Sequence, residues 1–205
     1  MIAALLLAAA APQAADGSAV NAERAFAARA QQAGQWQAFA EFADDGAVMF
    51  VPQPVRARDW LPKQREEKQA VAWAASASYV SCDGETAVNT GPFWLAAPKL
   101  DGFFTTVWRK GEAGWRWTYD GGAPLETPRA RVAEPKVERA SCAEAPIDMA
   151  PVMRPGVKTG GGSSRDRSLV WSWSVEANGA RHFKAQLWTG EDYRTVVEDV
   201  VPASK

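Results

Sequence analysis

The sequence has one histidine, His182. A serine or cysteine nucleophile needs a neighbouring base, and the lone histidine lies far from the aromatic middle of the chain. It falls in a C-terminal strand pattern, where we expect a partly exposed strand residue rather than a general base. The histidine content therefore gives no support to catalytic pairs or triads.

The chain is equally poor in metal-binding patterns. Its two cysteines, Cys82 and Cys142, form no Cys-x-x-Cys motif and have no histidine at zinc-site spacing. Asp44, Asp45 and Asp83 occupy turn positions, where aspartate usually bonds the local backbone, and no calcium-loop spacing surrounds them. We expect no metal and no cofactor.

Neither sign of charge is in excess, because 23 Lys and Arg face 24 Asp and Glu. Nucleic-acid binding is driven largely by Lys and Arg side chains that neutralise phosphates and release their counterions. Because this chain has no excess of such residues, nucleic-acid binding is disfavoured. Arg109, Lys110 and Arg116 do alternate with tryptophans, as in single-strand binders, but neighbouring acids cancel the local charge.

The apolar run at residues 1–11 is too short to span a bilayer as a helix and has the length of a signal-peptide core. Small residues suited to cleavage follow at 8–10 and 17–19, so we predict a signal peptide over residues 1–19. No Lys or Arg precedes the core, so either the α-amino group supplies the positive charge or the true start lies upstream. A buried N-terminal helix is the alternative.

Export would place the mature chain in the periplasm or outside the cell, with no membrane association once the signal is removed. In that oxidising setting an even cysteine count favours a Cys82–Cys142 disulfide. Two separately buried thiols are the alternative.

Aromatic residues are what the chain has in abundance, with ten tryptophans. Residues 102–122 have the alternation of a β-hairpin around a Gly111–Gly114 turn. This alternation predicts one shared face on each arm: Phe104, Thr106 and Trp108 on the first, Trp115, Trp117 and Tyr119 on the second. Such a surface is either the core of a curved sheet or a face on which a ligand stacks.

Periodicity elsewhere predicts an α+β fold, with N-terminal helices packed on a curved antiparallel sheet. Two helices span residues 21–42, with Asn21 as N-cap and an interruption at Gly34. Further elements are expected as follows: a strand at 47–51, a helical turn around Arg58–Leu61, and strands at 71–82, 86–96, 103–110 and 115–120.

The predicted organisation places one domain at residues 20–125, followed by a linker or meandering loop at 126–162 that is rich in proline and ends in glycines. Residues 163–205 form a three-stranded C-terminal extension. A meander of this size needs a surface to dock on, so we expect it to pack on the main domain or on another chain.

Several motifs resemble one superfamily. They are FADD at 42–45, SCDG at 81–84, NTGPFW at 89–94, and FFTTVWRK with WRWTYDGG in the hairpin. Together they resemble the nuclear-transport-factor-2-like superfamily, also called ketosteroid-isomerase-like or SnoaL-like, and within it an exported bacterial subgroup with no established activity. The resemblance covers roughly residues 20–122 and implies a cone-shaped α+β barrel around a pocket.

The resemblance also implies where catalytic residues would lie. Enzymes of the superfamily use a carboxylate base on the first strand and a tyrosine from the first helix. In a gap-free alignment these places fall at Phe26 and near Phe50, where a phenyl ring can neither donate nor accept a proton. Dehydratases of the superfamily need a histidine in the cone, and His182 lies far downstream.

What remains is a pocket without a catalytic dyad. We expect it to be lined by aromatic residues from neighbouring strands with a few polar groups. The candidate ligand-pocket residues are Trp60, Trp73, Tyr79, Trp94, Trp108, Tyr119 and Asp120. Asp120 either orients a ligand at the mouth or caps a turn before Gly121–Gly122.

Three functions stay open at this stage. The first is an exported, non-catalytic domain that binds a small apolar or aromatic ligand or forms a homodimer through its sheet. The second is an acid/base enzyme of isomerase, dehydratase or cyclase type that uses Asp120, Tyr119 or Arg58. The third is a protein-interaction module whose interface contains Trp171, Trp173 and Trp188.

Overall fold

The computed structural model of the chain describes residues 18–144 and 156–203. Two helices open it, α1 at Ala19–Ala33 and α2 at Gln35–Phe42, with Gly34 between them at a positive φ of 109°. The predicted helix pair is thus present, but the N-cap is Ser18 and not Asn21, because the Ser18 hydroxyl accepts the Asn21 amide at 3.2 Å. The rest of the predicted signal peptide lies outside the described residues.

A short third helix, α3, spans Ala57–Trp60 and continues into a 3-10 turn at Leu61–Lys63. It occupies the place where the sequence predicts a single helical turn. Among the residues that the structure describes, no helix has the length and apolar character needed to cross a membrane.

The first sheet has eight strands and curves around the helices. Their bounds are β1 Ala43–Phe50, β2 Pro54–Arg56, β3 Ala72–Trp73, β4 Ala77–Val80, β5 Thr86–Leu95, β6 Leu100–Gly111, β7 Gly114–Pro124 and β8 Lys136–Arg139. The strand order is β2-β1-β7-β6-β5-β4-β8, and β3 also pairs with β5. Pairing is antiparallel except for β1 with β7 and β4 with β8. The predicted α+β class, helices on a curved sheet, is confirmed.

The hairpin of β6 and β7 contains a bulge that the alternation does not reveal. Trp108 pairs with Trp117, but the next pair is Val107 with Tyr119, so Thr118 is left over. One extra residue in a strand moves the side chains that follow it to the opposite face of the sheet. Trp117 therefore lies with the helices while Tyr119 lies on the outer face, and the predicted shared face of Trp115, Trp117 and Tyr119 is wrong for Tyr119.

A second sheet covers the outer face of the first. It has four antiparallel strands in the order β12-β11-β10-β9, where the sequence predicts three: β9 Lys158–Ser163, β10 Leu169–Val175, β11 Arg181–Trp188 and β12 Tyr193–Val201. The extra strand β9 contains three consecutive glycines. A Cβ at Gly160 would overlap the Trp173 ring and one at Gly162 would crowd Trp171, so the missing side chains make room for indoles across the strand.

The two sheets meet through an apolar cluster and a buried hydrogen bond from Thr105 to Asp199. Val88, Val107 and Tyr119 of the first sheet form one cluster with Leu169, Phe183, Ala185, Leu187 and Val197 of the second. The Tyr119 and Phe183 rings stack with their centroids 4.6 Å apart. The predicted docking of the C-terminal strands on the main sheet is therefore observed. The second sheet thus covers the outer face of β5, β6 and β7.

Two turns of matching construction join the sheets at one end. In each, a serine hydroxyl bonds the backbone of the residue five positions later: Ser81 with Thr86, and Ser164 with Leu169. The aspartates two residues after the serines exchange contacts, since each carboxylate accepts the other's backbone amide. The disulfide predicted between Cys82 and Cys142 is present beside them, with Cα atoms 5.1 Å apart.

A ligand-sized cavity in the cone

The cavity that could hold a ligand lies between the helices and the inner face of the first sheet; we call it the central cavity. Its volume is about 230 Å³. The described residues that line it are Gln35, Trp36, Phe39, Met49, Phe50, Val51, Val71, Trp73, Phe93, Leu100, Phe104 and residues 120–124. Among these described residues, Gln35 brings a carboxamide and Asp120 a carboxyl group to the wall, and Trp36 and Trp73 bring indole rings.

Local sequence explains how the wall is built. Helix α2 presents Trp36 and Phe39 three residues apart, so both rings face the same way. Strand β1 contributes Met49 through its buried alternate positions. On β5, Phe93 lies across from Gly102, where a Cβ would overlap its ring, so the glycine allows the phenyl group to lie flat against the sheet.

Asp120 is the acidic group of the central cavity. Its carboxyl Oδ2 accepts the Thr106 hydroxyl at 2.8 Å, and within the described part of the chain no donor reaches Oδ1. Burial, the largest influence, raises the pKa of Asp120 to about 8; the bond from Thr106 opposes this shift and the nearby Glu23 charge adds to it. At neutral pH this carboxyl is mostly protonated, so it can donate a hydrogen bond.

The predicted turn-capping role of Asp120 is wrong. Strand β7 continues through Gly121–Gly122 to Pro124, so no turn follows the aspartate. Its orientation comes from the bulge at Thr118, which directs Asp120 towards Thr106 and the cavity. The alternative that the sequence left open, a carboxyl beside an aromatic cavity, describes its position.

A second acid, Glu23, lies deeper in the cone on α1 and is buried. It is 1% exposed, and its two carboxylate oxygens accept three hydrogen bonds. Trp73 donates to Oε1 at 2.8 Å, while Trp108 and Asn89 donate to Oε2 at 2.7 and 3.1 Å. Burial raises the pKa of Glu23, and the three donors oppose that shift. Glu23 thus fixes the Trp73 indole in the cavity wall.

Glu23 was not among the residues predicted from the sequence. The signal that could have revealed it is its place on the apolar stripe of α1, where Ala19, Glu23, Phe26 and Ala30 recur at helical spacing and are all buried. A glutamate on such a stripe needs buried donors, and indole N–H groups supply two of them.

Of the seven predicted pocket residues, Trp73 and Asp120 line the central cavity. Trp60 lies one layer behind it, with its ring 5.1 Å from that of Trp36. Trp108 is fully buried beneath the cavity, bonded to Glu23.

The other three lie elsewhere. Tyr79 and Tyr119 belong to the cluster between the two sheets. Trp94 is covered by the Arg131 guanidinium, 3.9 Å from its ring centroid. The structure therefore does not bring the seven side chains together in one pocket.

The positions at which the superfamily resemblance implies catalytic groups are occupied by packed rings. Phe26 is 1% exposed and contacts the rings of Phe39, Phe42, Trp73 and Trp108. Phe50 lies at the edge of the central cavity and contacts the rings of Tyr119 and Trp173.

Residues considered for other functions also have defined places. His182 is a half-exposed strand residue, as expected, with Nε2 3.0 Å from Glu198 Oε1. Arg58 is exposed beside Asp59, outside the central cavity. Across residues 18–144 and 156–203 no group of three or more His, Cys, Asp or Glu is arranged to hold a metal ion.

Comparison with known proteins yields likeness of fold only. No family model matches the chain, and no curated protein does. Among solved structures, a protein of unknown function of the DUF3225 family from Pectobacterium atrosepticum is 15% identical, with a TM-score of 0.43, and the match covers 55% of this chain and 93% of that one.

Two further structures are similar over the same part of the fold. An NTF-2-like protein of unknown function from Shewanella oneidensis is 14% identical over 47% of this chain and 88% of its own, with a TM-score of 0.40. The CamKII hub homology domain of Chlamydomonas reinhardtii is 19% identical, and the match covers 55% of this chain and 98% of that domain with a TM-score of 0.40. The superfamily that the motifs resemble is thus represented among the matches, and the likeness concerns fold and not activity.

Proposed function

We propose that the protein is an exported binding protein that holds a small, mainly apolar ligand in the central cavity. The observation that carries the proposal is the cavity itself. It has a volume of about 230 Å³ and is walled by aromatic and aliphatic side chains, and its one carboxyl group has an oxygen to which no described residue donates. A dry apolar cavity of about 150 Å³ binds benzene in another protein, so this one has room for a ring with a short substituent.

Export is part of the proposal and is supported by the Cys82–Cys142 disulfide, since such bonds persist mainly in oxidising compartments. The C-terminal sheet supports a binding role for the cone more than an interaction role for the tryptophans. Trp171 and Trp173 pack against the first sheet, and Trp188 is 7% exposed beside Tyr193. Their side chains are thus occupied within the chain.

Binding can be tested by calorimetry and by tryptophan fluorescence, because Trp36 and Trp73 line the central cavity. Purified protein is titrated with a panel of single-ring compounds that carry one polar substituent. We expect saturable binding that Val71→Phe weakens at least tenfold, since a larger side chain there fills the mouth. Val137→Phe is the matched control, as Val137 is 60% exposed on β8 and does not line the cavity.

Two outcomes would contradict the proposal. One is no saturable binding to any compound of the panel. The other is equal loss of affinity in Val71→Phe and Val137→Phe, which would mean that the compounds bind elsewhere or that the substitutions act through stability.

A second candidate function rests on the raised pKa of Asp120. A carboxyl with a pKa of about 8 beside an apolar cavity can exchange protons with a bound molecule near neutral pH. Of the three residues considered for acid/base chemistry, Asp120 alone lies in the cavity. An enzyme of this kind would catalyse deuterium uptake next to the carbonyl of a single-ring ketone, and Asp120→Asn would abolish it. No uptake above the rate in buffer would leave the binding function alone.

A further inference from the structure

The charges of the cone interior are one-sided. Two carboxyl groups, Glu23 and Asp120, lie within it, and no Lys, Arg or His is among the described residues that line the central cavity. Glu23 is satisfied by three protein donors, whereas among the described residues Asp120 accepts a hydrogen bond from the Thr106 hydroxyl alone. Asp120 is partly buried in the cavity wall, and its Oδ1 is left without a protein donor in the described part of the chain. A cation in the cavity would be a favourable partner for such a carboxylate, which burial otherwise disfavours.

The walls around Asp120 are suited to a cation. Rings from four separate elements line the same cavity: Trp36 and Phe39 on α2, Trp73 on β3, Phe93 on β5 and Phe104 on β6. The face of an aromatic ring carries negative potential and attracts an ammonium group, most strongly where water is excluded. An acid and a set of rings around one space are the two components that hold organic ammonium ions.

We propose that the ligand of the central cavity is a small organic cation, an amine or quaternary ammonium with an apolar body, whose charge lies between Asp120 and the aromatic wall. This inference rests on the proposed function, since it names the chemical class of the bound molecule. The ammonium group supplies the positive charge that no described side chain of the cavity wall provides to Asp120, and the rings of Trp36, Phe39 and Trp73 enclose its carbon atoms.

The direction of a pH effect separates this ligand class from a neutral one. A cation binds the ionised form of Asp120, so its affinity rises with pH until the carboxyl of the free protein is ionised. A neutral hydrogen-bond acceptor such as a ketone binds the protonated form, so its affinity stays level up to about pH 8 and falls above that pH. The other titratable groups near Asp120 are Glu23 on α1, whose charge raises the pKa of Asp120, and Tyr119 on the opposite face of β7, whose pKa is raised by burial. Arg181 on β11 donates to the backbone carbonyl of Gly122, two residues further along β7.

The test uses three probes on the full chain. Benzyltrimethylammonium carries a charge that does not titrate, 2,2-dimethylpropylbenzene has the same shape without the charge, and acetophenone offers a carbonyl acceptor. Dissociation constants are measured by calorimetry at pH 6, 7, 8 and 9 for the wild type and for Asp120→Asn.

We expect the quaternary ion to bind at least tenfold more tightly than its uncharged isostere at pH 8. Because the pKa of Asp120 is about 8, its affinity should rise roughly tenfold per pH unit from pH 6 towards 8 and then level off. Asp120→Asn should remove both the preference and the pH dependence. That variant keeps the shape of the side chain, so it should fold.

The remaining outcomes overturn the inference in distinguishable ways. If the isostere or acetophenone binds as tightly as the ion, or if Asp120→Asn keeps the preference, the cavity binds neutral ligands: the proposed function stands and the cation does not. If none of the three probes binds, the inference fails together with the proposed function.

Discussion

Replacing Asp120 with asparagine should make the protein more stable, and by an amount that grows with pH. The folded chain holds this carboxyl at a pKa of about 8, whereas an aspartate in an unfolded chain has a pKa of about 3.9. Between these values the folded state binds a proton that the unfolded state has lost, so stability falls as pH rises. Asparagine does not titrate and avoids that loss.

The magnitude follows from the two pKa values. Each pH unit between them costs the wild type about 1.4 kcal/mol of unfolding free energy. Asp120→Asn should therefore gain about 2.5 kcal/mol relative to the wild type between pH 5 and pH 7, and the gain should level off above pH 8. The new amide nitrogen adds a desolvation cost of about 1 kcal/mol, which is the same at every pH and leaves the slope unchanged.

Urea unfolding followed by tryptophan fluorescence at pH 5, 6, 7 and 8 measures the difference. Asp45→Asn is the matched control, because it makes the same substitution at an exposed position of β1. A difference between the wild type and Asp120→Asn that does not change with pH would refute the reasoning. So would a variant that becomes less stable than the wild type as pH rises.

Three further predictions concern Glu23, the contact between the two sheets, and the disulfide, and each is checked by urea unfolding at pH 7. Glu23→Gln should destabilise the protein by about 2 kcal/mol, because an amide nitrogen would face the buried Trp73 indole N–H in place of Oε1. A neutral or stabilising effect would mean that the three donors do not need the carboxylate. Phe183→Ala should lower the free energy of unfolding by about 3 to 5 kcal/mol, because the ring that stacks on Tyr119 is lost. An effect no larger than that of Thr195→Ala, a substitution at an exposed position, would contradict the docking of the two sheets. The double change Cys82→Ser with Cys142→Ser should lower the free energy of unfolding by about 4 kcal/mol, since the disulfide closes a loop with a sequence separation of 60. An unchanged midpoint of urea unfolding would show that the disulfide does not stabilise the fold.

Features with a local cause could be predicted from the sequence. Gly34 interrupts an otherwise continuous helical pattern, and the helices separate there. The Gly111–Gly114 turn joins two alternating runs, and β6 and β7 meet there with Gly114 at a positive φ. The disulfide followed from an even cysteine count together with the predicted export.

Features that depend on contacts across the fold could not be predicted. The bulge at Thr118 leaves the alternation of residue types intact, so it is seen only in the pairing with β6. Strand β9 has a linker-like run of glycines, whose role becomes clear only when the Trp171 and Trp173 rings lie over them. Glu23 is one acid among many until its indole partners, 50 and 85 residues away, are placed beside it.

The most direct test of the account is the titration of the Asp120 carboxyl carbon by NMR, in the free protein and with bound benzyltrimethylammonium. We predict a midpoint near pH 8 in the free protein, because burial raises the pKa of this group, and a midpoint at least two pH units lower once the cation is bound. A midpoint near 4 in the free protein would show that the surroundings of Asp120 do not raise its pKa. A raised midpoint that the cation leaves unchanged would contradict binding beside Asp120.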